Sequence, residues 1–239
     1  MTDTLFLDDA GLLACGATLT ALGAEGLELD RTVFYPQGGG QAGDTGSLTR
    51  ADGAQLAIVD TRKGAAPGQV LHLVAPGTDL QGWAAGQPVM ACIDGARRTA
   101  HRRFHTATHL LCALVPHPVD GCGITAGYAR LDFHMTEPLD KDALTAGIAR
   151  LVAAAHPVAT RWITDAELDA NPGLVRSMSV QPPRGSGRVR LVEVQGVDLQ
   201  PCGGTHVANT ADIGAVVVTK VEKKSARTRR VVLGFAGAA

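Results

Sequence analysis

Two short motifs that lie far apart in this chain constrain its fold more than any other feature, because together they form one set of metal ligands. The first, HTATH, places His105 and His109 four residues apart. On a helix, residues at this spacing project from the same face one turn apart, so both can bind a single ion. The second, CGGTH, carries Cys202 and His206 at the same spacing. The fold is therefore expected to bring two distant segments around one site.

The donor types in these motifs indicate which metal they would bind. Soft and borderline donors suit Zn²⁺ far better than Mg²⁺ or Ca²⁺, which prefer oxygen ligands. We therefore predict one Zn²⁺ per chain, bound by the two histidines of HTATH and by the cysteine and histidine of CGGTH. An incidental pair of surface histidines with a buried thiol would be the preferred interpretation of HTATH alone. The matching second pair, set among glycines, favours the metal.

A site with four protein ligands raises a question of chemistry. Such sites are usually closed and structural, whereas catalytic zinc sites keep an open position. Three solutions remain open: one ligand binds weakly, the ion expands its coordination, or the ion only positions the substrate. HTATH also has Thr106 where the HExxH motif of zinc peptidases carries its glutamate base. Cys202 could instead act as a covalent nucleophile with His206, although a thiol beside three imidazoles is more typical of a ligand.

The composition of the chain is that of a soluble globular protein. Its 239 residues are 45% hydrophobic and 19% charged, enough for one large domain or two small ones. No run of about 18 apolar residues could span a bilayer, and the start, MTDTLFLDDAGLL, lacks the features of a secretion signal. We therefore expect a cytoplasmic protein without a membrane partner. The five cysteines are odd in number and scattered, which argues against a disulfide framework.

Basic residues are clustered although the net charge is only −1. One cluster precedes HTATH, and another surrounds EKKSART, the expected turn of a hairpin between the strands IGAVVVTKV and RRVVLGF. The long basic side chains of this hairpin are expected to be mostly solvated. Such patches can bind a phosphate backbone, and they can equally be faces that keep the protein soluble. The candidate phosphate contacts are Lys223, Lys224, Arg229 and Arg230.

The chain changes character near residue 95. Residues 1–95 contain short segments rich in Val, Leu and Ile, which are TLTAL, LELDRTVFY, QLAIVD, QVLHLV and PVMACI, separated by turn residues. This spacing predicts a small β-barrel or sandwich. Between two of the strands lies YPQGGGQAGDTG, residues 35–46, whose glycines allow the backbone to approach a ligand closely.

Residues 96–239 combine helical and strand patterns. The apolar periodicity predicts a helix from Arg97 until Pro116 ends it. A second helix is predicted from Leu139 to Ala155, with Thr136 or Asp140 near its start. The strand-like segments VATRWI, RVRLVEV and the two hairpin strands follow. Helices packed on an antiparallel sheet give the α+β fold class.

Three sequence blocks carry a family resemblance: RRTAHRRFHTATHLL, DLQPCGGTHVANTADIG and FYPQGGGQAGDTG. Together with LDRTVFYP, RLDF and VRLVEVQGVD, they resemble the AlaX family of free-standing alanyl-tRNA editing proteins, relatives of the editing domain of alanyl-tRNA synthetase. The resemblance covers nearly the whole chain. It implies an N-terminal β-barrel over residues 1–95, with the glycine-rich loop, and a zinc-dependent editing domain over residues 96–239. The implied metal ligands are His105, His109, Cys202 and His206.

The resemblance also implies an activity. The chain is expected to be a cytoplasmic hydrolase that removes a wrongly attached amino acid from the acceptor end of tRNA charged by another enzyme. The favoured substrate is Ser-tRNA(Ala), with Gly-tRNA(Ala) as a second. One rival hypothesis is a pocket for threonine or a threonine analogue, because the threonyl-tRNA synthetase editing domain is related. Others are a non-catalytic RNA-binding module stabilised by zinc, and a metal-dependent hydrolase of small esters or amides.

The amino-acid pocket is assigned, in line with the family, to the glycine-rich region. Thr32 and Gln41 could hydrogen-bond a substrate hydroxyl, and such a site strongly rejects an analogue without it. Ordinary turn and strand-end bonds are an equally good role for both residues. Asp132 could neutralise the substrate amino group or orient a ligand histidine, or it could simply pair with Arg130. The opposite wall of the pocket is expected to contain Gly203, Gly204 and Thr205.

Overall fold

The computed structural model describes residues 1–175 and 187–237. The chain divides into two compact units, one formed by Met1–Gly38 and Ala42–Thr99 and the other by Gly39–Gln41 and Ala100–Ala239. The division falls inside the first long helix, and it assigns the centre of the glycine-rich segment to the second unit. Among the described residues, no helix combines the length and the apolar character that a membrane span requires.

The first unit is built almost entirely from strands. These are β1 (Asp3–Thr4), β2 (Ala14–Gly23), β3 (Gly26–Leu29), β4 (Arg31–Thr32), β5 (Gly46–Arg50), β6 (Gln55–Ile58), β7 (Asp60–Lys63), β8 (Val70–Leu73) and β9 (Pro88–Ile93). Seven of them form one sheet in the order β6-β5-β9-β2-β3-β8-β7, while β1 and β4 pair separately. Buried and exposed residues alternate along β6 and β9, so one face of this antiparallel sheet covers the core. The core contains Leu19, Leu29, Phe34, Leu48 and Ile58.

The predicted N-terminal β-barrel is not confirmed, because the sheet is open. Its two edge strands, β6 and β7, are separated in the chain by Val59 alone. The sheet must therefore curl until its edges meet at this residue, whose N–H donates to the Leu73 carbonyl at 2.8 Å. A closed barrel needs a continuous ladder between its outer strands. A one-residue corner brings the two strands together only at one end.

The second unit contains two antiparallel sheets and most of the helical residues. Its elements are α1 (Gly95–Leu114), whose first residues belong to the first unit, β10 (Val119–Ile124), β11 (Ala129–His134), α2 (Lys141–Ala153), β12 (Val158–Thr164), α3 (Asp165–Ala170), β13 (Arg188–Val194), β14 (Asp198–Pro201), β15 (Val216–Ser225) and β16 (Thr228–Phe235). The sheet orders are β10-β11-β16-β15 and β12-β13-β14. Phe104 of α1 stacks on Phe235 of β16 with ring centroids 4.0 Å apart. The mixed architecture, with few helices and mostly antiparallel sheets, confirms the α+β class.

The predicted long helices are present with nearly the predicted bounds. The helix α1 ends at Leu114, before Pro116, and α2 begins after Asp140. The Asp140 side chain accepts the N–H groups of Asp142 and Ala143, which satisfies donors that have no partner within the helix. The predicted hairpin is also present, but its strands continue further into the turn, because β15 extends to Ser225.

Candidate metal centre

The helix α1 supplies the first pair of candidate ligands. Phe104 and Leu111 on its apolar face are fully buried, which fixes the rotation of the helix about its axis. His105 and His109 lie one turn apart and are each 4% exposed. The hydroxyl of Thr108 donates to the carbonyl of His105 at 2.7 Å. The sequence pattern therefore directs both imidazoles into the same buried region.

The second pair lies on the loop that follows β14. Arg190 is buried and donates from Nη1 to the carbonyls of Cys202 and Gly204, both at 3.0 Å. Arg102 donates from Nε to the carbonyl of His206 at 2.8 Å. Hydrogen bonds from two arginines therefore hold the backbone of the loop at both of its ends.

The structure brings the four predicted ligands together. The candidate ligand atoms of His105, His109, Cys202 and His206 all lie within 4.8 Å of one another. The Sγ atom of Cys202 is 3.4 Å from Nε2 of His105 and 3.3 Å from Nε2 of His206. The three histidines are at most 5% exposed, and Cys202 is partly exposed. One thiol and three imidazoles in a nearly buried cluster could hold one metal ion, and they match the donor set of a zinc site.

The electrostatics of the cluster favour the protonation states that a metal needs at Cys202 and His206, but not at His109. Burial would raise the pKa of the Cys202 thiol, but the adjacent His105 and His206 lower it well below its usual range. Burial, reinforced by His105, lowers the pKa of His206. Burial also opposes charge on His109, yet the hydrogen bond to Asp198 and the proximity of Cys202 raise its pKa to about 9. A metal would therefore displace a proton from His109 on binding.

Each imidazole has its Nδ1 atom engaged by a different side chain, which leaves Nε2 for an ion. The pairs are His105 Nδ1 with Gln41 Oε1 at 2.8 Å, His206 Nδ1 with Thr106 Oγ1 at 3.2 Å, and His109 Nδ1 with Asp198 Oδ2 at 2.8 Å. Ligand histidines in metalloproteins are typically held in this way. Gln41 is placed here by a backbone pairing, since the N–H of Ile124 donates to the Gly40 carbonyl at 2.7 Å.

The two glycines of CGGTH have different surroundings. A Cβ atom on Gly204 would lie 2.1 Å from Cε1 of His105 and 3.0 Å from Oε1 of Gln41. A Cβ atom on Gly203 would meet nothing within 4 Å, and this residue is exposed. Gly204 is therefore required for the loop to approach the histidine, whereas Gly203 leaves open space beside Cys202.

Thr32, predicted to contact the substrate, is buried within the first unit. Its hydroxyl lies 2.8 Å from Nε2 of His72 and accepts the N–H of Phe34 at 3.0 Å. Nδ1 of His72 lies 3.1 Å from the carbonyl of Leu27, so this nitrogen carries the proton and Nε2 accepts from Thr32. A bond from Thr32 to a substrate hydroxyl would have to compete with these contacts.

Asp132 accepts hydrogen bonds from two arginines. Arg230 donates from Nε to Oδ1 at 2.6 Å and from Nη2 to Oδ2 at 2.7 Å. Arg130 donates from Nη1 to Oδ2 at 2.7 Å. Burial would raise the pKa of Asp132, but the two arginines lower it. The carboxylate therefore pairs with Arg130, as one of the alternatives anticipated, and also with Arg230.

The four candidate phosphate contacts on the hairpin fall into two groups. Lys223 and Lys224 are exposed. Arg229 is only 8% exposed and donates to the carbonyls of Ser225 and Thr136. Since Arg229 is buried and Arg230 is bound to Asp132, the expectation that these side chains are mostly solvated is confirmed for the two lysines and wrong for the two arginines.

Sequence reasoning missed several residues that build the site. Thr106 appeared only as a departure from HExxH, and neither Asp198 nor Arg190 was singled out. Asp198 could have been found, because a carboxylate four residues before a ligand cysteine at the end of a strand is a plausible partner for a ligand histidine. Arg190 carried no local signal, since the strand RVRLVEV has other charged residues and nothing in it marks this arginine as buried.

Comparison with known proteins adds independent information. A family model described as "Threonyl and Alanyl tRNA synthetase second additional domain" matches residues 189–232. The chain is 32% identical to the "Alanyl-tRNA editing protein AlaX-M" of Methanosarcina barkeri, over 97% of this chain and 98% of that protein. It is 34% identical to the protein of the same name from Methanosarcina acetivorans, over 85% of this chain and 86% of that protein.

A longer protein also matches. The "Alanine--tRNA ligase" of Methanothermobacter thermautotrophicus is 32% identical over 100% of this chain, which corresponds to 27% of that protein. The match to the free-standing protein of Methanosarcina barkeri, in contrast, spans almost the full length of both chains. The chain therefore belongs to the AlaX-M family of alanyl-tRNA editing proteins.

Proposed function

We propose that this chain is a trans-acting aminoacyl-tRNA deacylase, which hydrolyses the ester that links a wrongly attached amino acid to the acceptor end of tRNA in the cytoplasm. The observation that carries the proposal is the cluster of His105, His109, Cys202 and His206, whose ligand atoms lie within 4.8 Å of one another in a member of the AlaX-M family. The relatives are named for alanyl-tRNA editing.

One Zn²⁺ ion is the cofactor of this activity, and the four clustered residues hold it. When bound, Zn²⁺ supplies a Lewis acid for the ester carbonyl and a lower pKa for water. The substrate ester approaches from the side of Cys202 and Gly203, because Cys202 is partly exposed and a Cβ atom on Gly203 would meet nothing within 4 Å. This open side favours a catalytic site over a purely structural zinc in an RNA-binding module.

Serine is the favoured amino acid, and glycine is a second substrate. Gln41 and Thr205 support this choice because they form a network that a substrate hydroxyl can join. Gln41 Nε2 donates to Thr205 Oγ1 at 3.0 Å, and the same hydroxyl lies 3.3 Å from Gln41 Oε1. A site that binds a substrate hydroxyl strongly rejects an analogue that lacks it, whereas an extra methylene is rejected by only about 1–3 kcal/mol. The hydroxyl argument therefore favours serine over alanine, and correctly charged Ala-tRNA is spared. Glycine also lacks the hydroxyl, so its place as a second substrate rests on the family resemblance alone.

The experiment that tests the function is a deacylation panel. Ser-, Gly-, Thr- and Ala-tRNA(Ala), each labelled in the amino acid, are incubated with the protein, with a chelator, and with a chelator followed by Zn²⁺. We expect loss of the seryl ester that the chelator stops and zinc restores. Preferred hydrolysis of the threonyl ester would indicate the threonine pocket instead, and absence of hydrolysis of all four esters would reject the deacylase. Small activated esters serve as the non-tRNA comparison.

The amino-acid pocket has its own test. If Thr32 and Gln41 read the substrate hydroxyl, Thr32→Val combined with Gln41→Ala should lower the ratio of seryl to alanyl hydrolysis. A ratio of rates is used because a change in metal content affects both esters equally. An unaltered ratio would remove both residues from substrate recognition.

The tRNA backbone contacts Lys223 and Lys224, whose side chains are exposed on the hairpin. Their joint replacement by Ala should weaken tRNA binding and reduce the slope of log K against log salt by about 0.7–0.9 for each phosphate that the protein no longer neutralises. The matched control removes two other exposed positive charges, at Lys141 and Arg150 of α2. Equal slopes in the two variants would place the RNA surface elsewhere.

A further inference from the structure

The amide of Gln41 determines where the proton lies on His105. The backbone N–H of Thr205 can only donate, and it lies 3.1 Å from Gln41 Oε1, which identifies this atom as the carbonyl oxygen of the amide. Nδ1 of His105 lies 2.8 Å from the same oxygen, so Nδ1 carries the proton. The lone pair of His105 is therefore on Nε2, the nitrogen that faces Cys202 Sγ at 3.4 Å.

The hydroxyl of Thr106 determines in the same way where the proton lies on His206. This hydroxyl has one proton, which it donates to the carbonyl of Arg102 at 2.9 Å. The oxygen is therefore an acceptor toward its other neighbours, the N–H of Val207 at 3.2 Å and Nδ1 of His206 at 3.2 Å. The lone pair of His206 is left on Nε2, which faces Cys202 Sγ at 3.3 Å. The threonine that replaces the glutamate of HExxH thus holds a ligand from the opposite motif.

Asp198 completes the set through His109. An ionised carboxylate only accepts hydrogen bonds, and Oδ2 of Asp198 lies 2.8 Å from both His109 Nδ1 and Gln200 Nε2. Nδ1 of His109 is therefore protonated, and Nε2 is the nitrogen left for an ion. A carboxylate on the far side of a ligand imidazole also makes that imidazole a stronger donor. Together with a Cys202 thiolate, Asp198 supplies two negative charges that balance a divalent cation.

We propose that Gln41, Thr106 and Asp198 are positioning residues that preset all three imidazoles with Nε2 directed at one metal ion. This inference rests on the metal site of the proposed function and extends it to residues that do not themselves bind the ion, including Gln41, which is also proposed to contact the substrate. The three bonds join residues separated by 64, 100 and 89 positions in the chain. Long-range contacts, rather than the two motifs alone, thus set the affinity for the metal.

The sharpest test uses two threonines of the same helix. Thr106 and Thr108 are both buried, and both donate to a carbonyl of α1, but only Thr106 also contacts an imidazole. In the full-length protein freed of metal, Co²⁺ affinity is measured by its visible absorption in competition with a chelator. We expect Thr106→Val to bind Co²⁺ about 10–100-fold more weakly than the wild type, whereas Thr108→Val stays within about twofold. Thr106→Ser, which keeps the hydroxyl, should restore the affinity.

A second pair tests Gln41 in the same way. Gln41→Leu removes the acceptor of His105 Nδ1, so this variant should bind Co²⁺ about 10-fold or more weakly than the wild type. Gln41→Glu keeps an oxygen at this position and should retain most of the affinity. Long-range ¹H–¹⁵N spectra of the zinc-loaded wild type should show a proton on Nδ1 of all three ligand rings. Zinc bound through Nδ1 of any ring would overturn the proposal.

The outcomes separate this inference from the proposed function. If Thr106→Val and Thr108→Val have equal affinity, or if Thr106→Ser is as weak as Thr106→Val, the positioning role is rejected even when the wild type binds metal and deacylates tRNA. If the wild type binds neither Co²⁺ nor Zn²⁺, both the metal site and this inference are rejected. The deacylation panel then tests the activity by itself.

Discussion

Each unit of the molecule buries a polar cluster centred on histidine, and the two clusters differ in how their ring nitrogens are used. In the first unit, His72 has protein partners on both nitrogens, the Thr32 hydroxyl at 2.8 Å and the Leu27 carbonyl at 3.1 Å. In the second unit, Nδ1 of each ligand histidine is bound by a side chain, while the candidate ligand atoms of four residues converge within 4.8 Å. A buried imidazole with two protein partners outside any ligand cluster stabilises the fold. Imidazoles that are held through Nδ1 and converge with a thiol through their other nitrogens form a ligand set.

The two units also differ in how their buried charges are paired. In the first unit, Arg98 pairs with Asp44, and both side chains are at most 1% exposed. The carboxylate of Asp44 also accepts the N–H of Tyr35 at 2.7 Å. In the second unit, Asp198 and Cys202 concentrate negative charge around the imidazoles. A divalent cation would balance both negative charges and would displace the proton that otherwise charges His109.

The largest expected effect is on metal binding, and it is obtained by comparing variants that remove side chains from one cluster or from the other. His105→Ala combined with Cys202→Ala should abolish metal binding and reduce deacylation by more than about 100-fold, because weaker changes around a ligand already cost about 10–100-fold in affinity. His72→Ala should retain about one metal ion per chain while lowering the free energy of unfolding. Elemental analysis and urea unfolding of the same preparations give both quantities. Wild-type metal content in the double variant would show that the four residues are not the ligands.

The next effect concerns two adjacent glycines of the second cluster. Gly204→Ala places a Cβ atom 2.1 Å from the His105 ring, and the ring cannot move away without losing its bond to Gln41. We expect a destabilisation of about 1–3 kcal/mol together with weaker Co²⁺ binding. Gly203→Ala is the matched control, because its Cβ atom meets nothing within 4 Å. Equal metal affinity in the two variants would mean that the loop adjusts freely around the cluster.

The same contrast explains how much could be predicted from sequence. The ligand motifs and α1 and α2 were predictable because residues close in sequence carry their signals: helical spacing, Pro116 and the Asp140 cap. The short α3 was missed although it has such a signal, the capping box of Thr164 and Glu167. The supports of the ligands were not predictable, because Thr106 and His206 lie 100 positions apart in the chain and meet only in the folded structure.

The open sheet of the first unit was missed for a related reason. Strand spacing predicted many short strands, and these are present, but closure depends on which edges pair. That is decided by tertiary geometry at Val59, where the chain passes from one edge strand to the other within a single residue. Strand propensities carry no information about such a corner.

A third expected effect is a dependence of the stability of the first cluster on pH. Burial lowers the pKa of His72 from its usual 6.5 to about 4, although the bond to the Leu27 carbonyl opposes the shift. Because the folded pKa lies below that of the unfolded chain, unfolding takes up a proton in acid. The neutral ring therefore stabilises the fold fully above pH 6.5, and this contribution is lost as the pH falls toward 4. At about 1.4 kcal/mol per pKa unit, the loss is on the order of 3 kcal/mol.

This loss is measured by urea unfolding of the wild type and of His72→Gln, both with a chelator so that metal release adds no slope of its own. Between about pH 7 and pH 4.5, the wild type should lose more free energy of unfolding than the variant, because only the wild type has a buried imidazole to protonate at this position. The metal-ligand histidines are shared by both proteins and cancel in the difference. Identical pH slopes would show that His72 is protonated as easily in the folded protein as in water. The hydrogen bonds of the first cluster would then not keep its histidine neutral, and the contrast with the second cluster would fail.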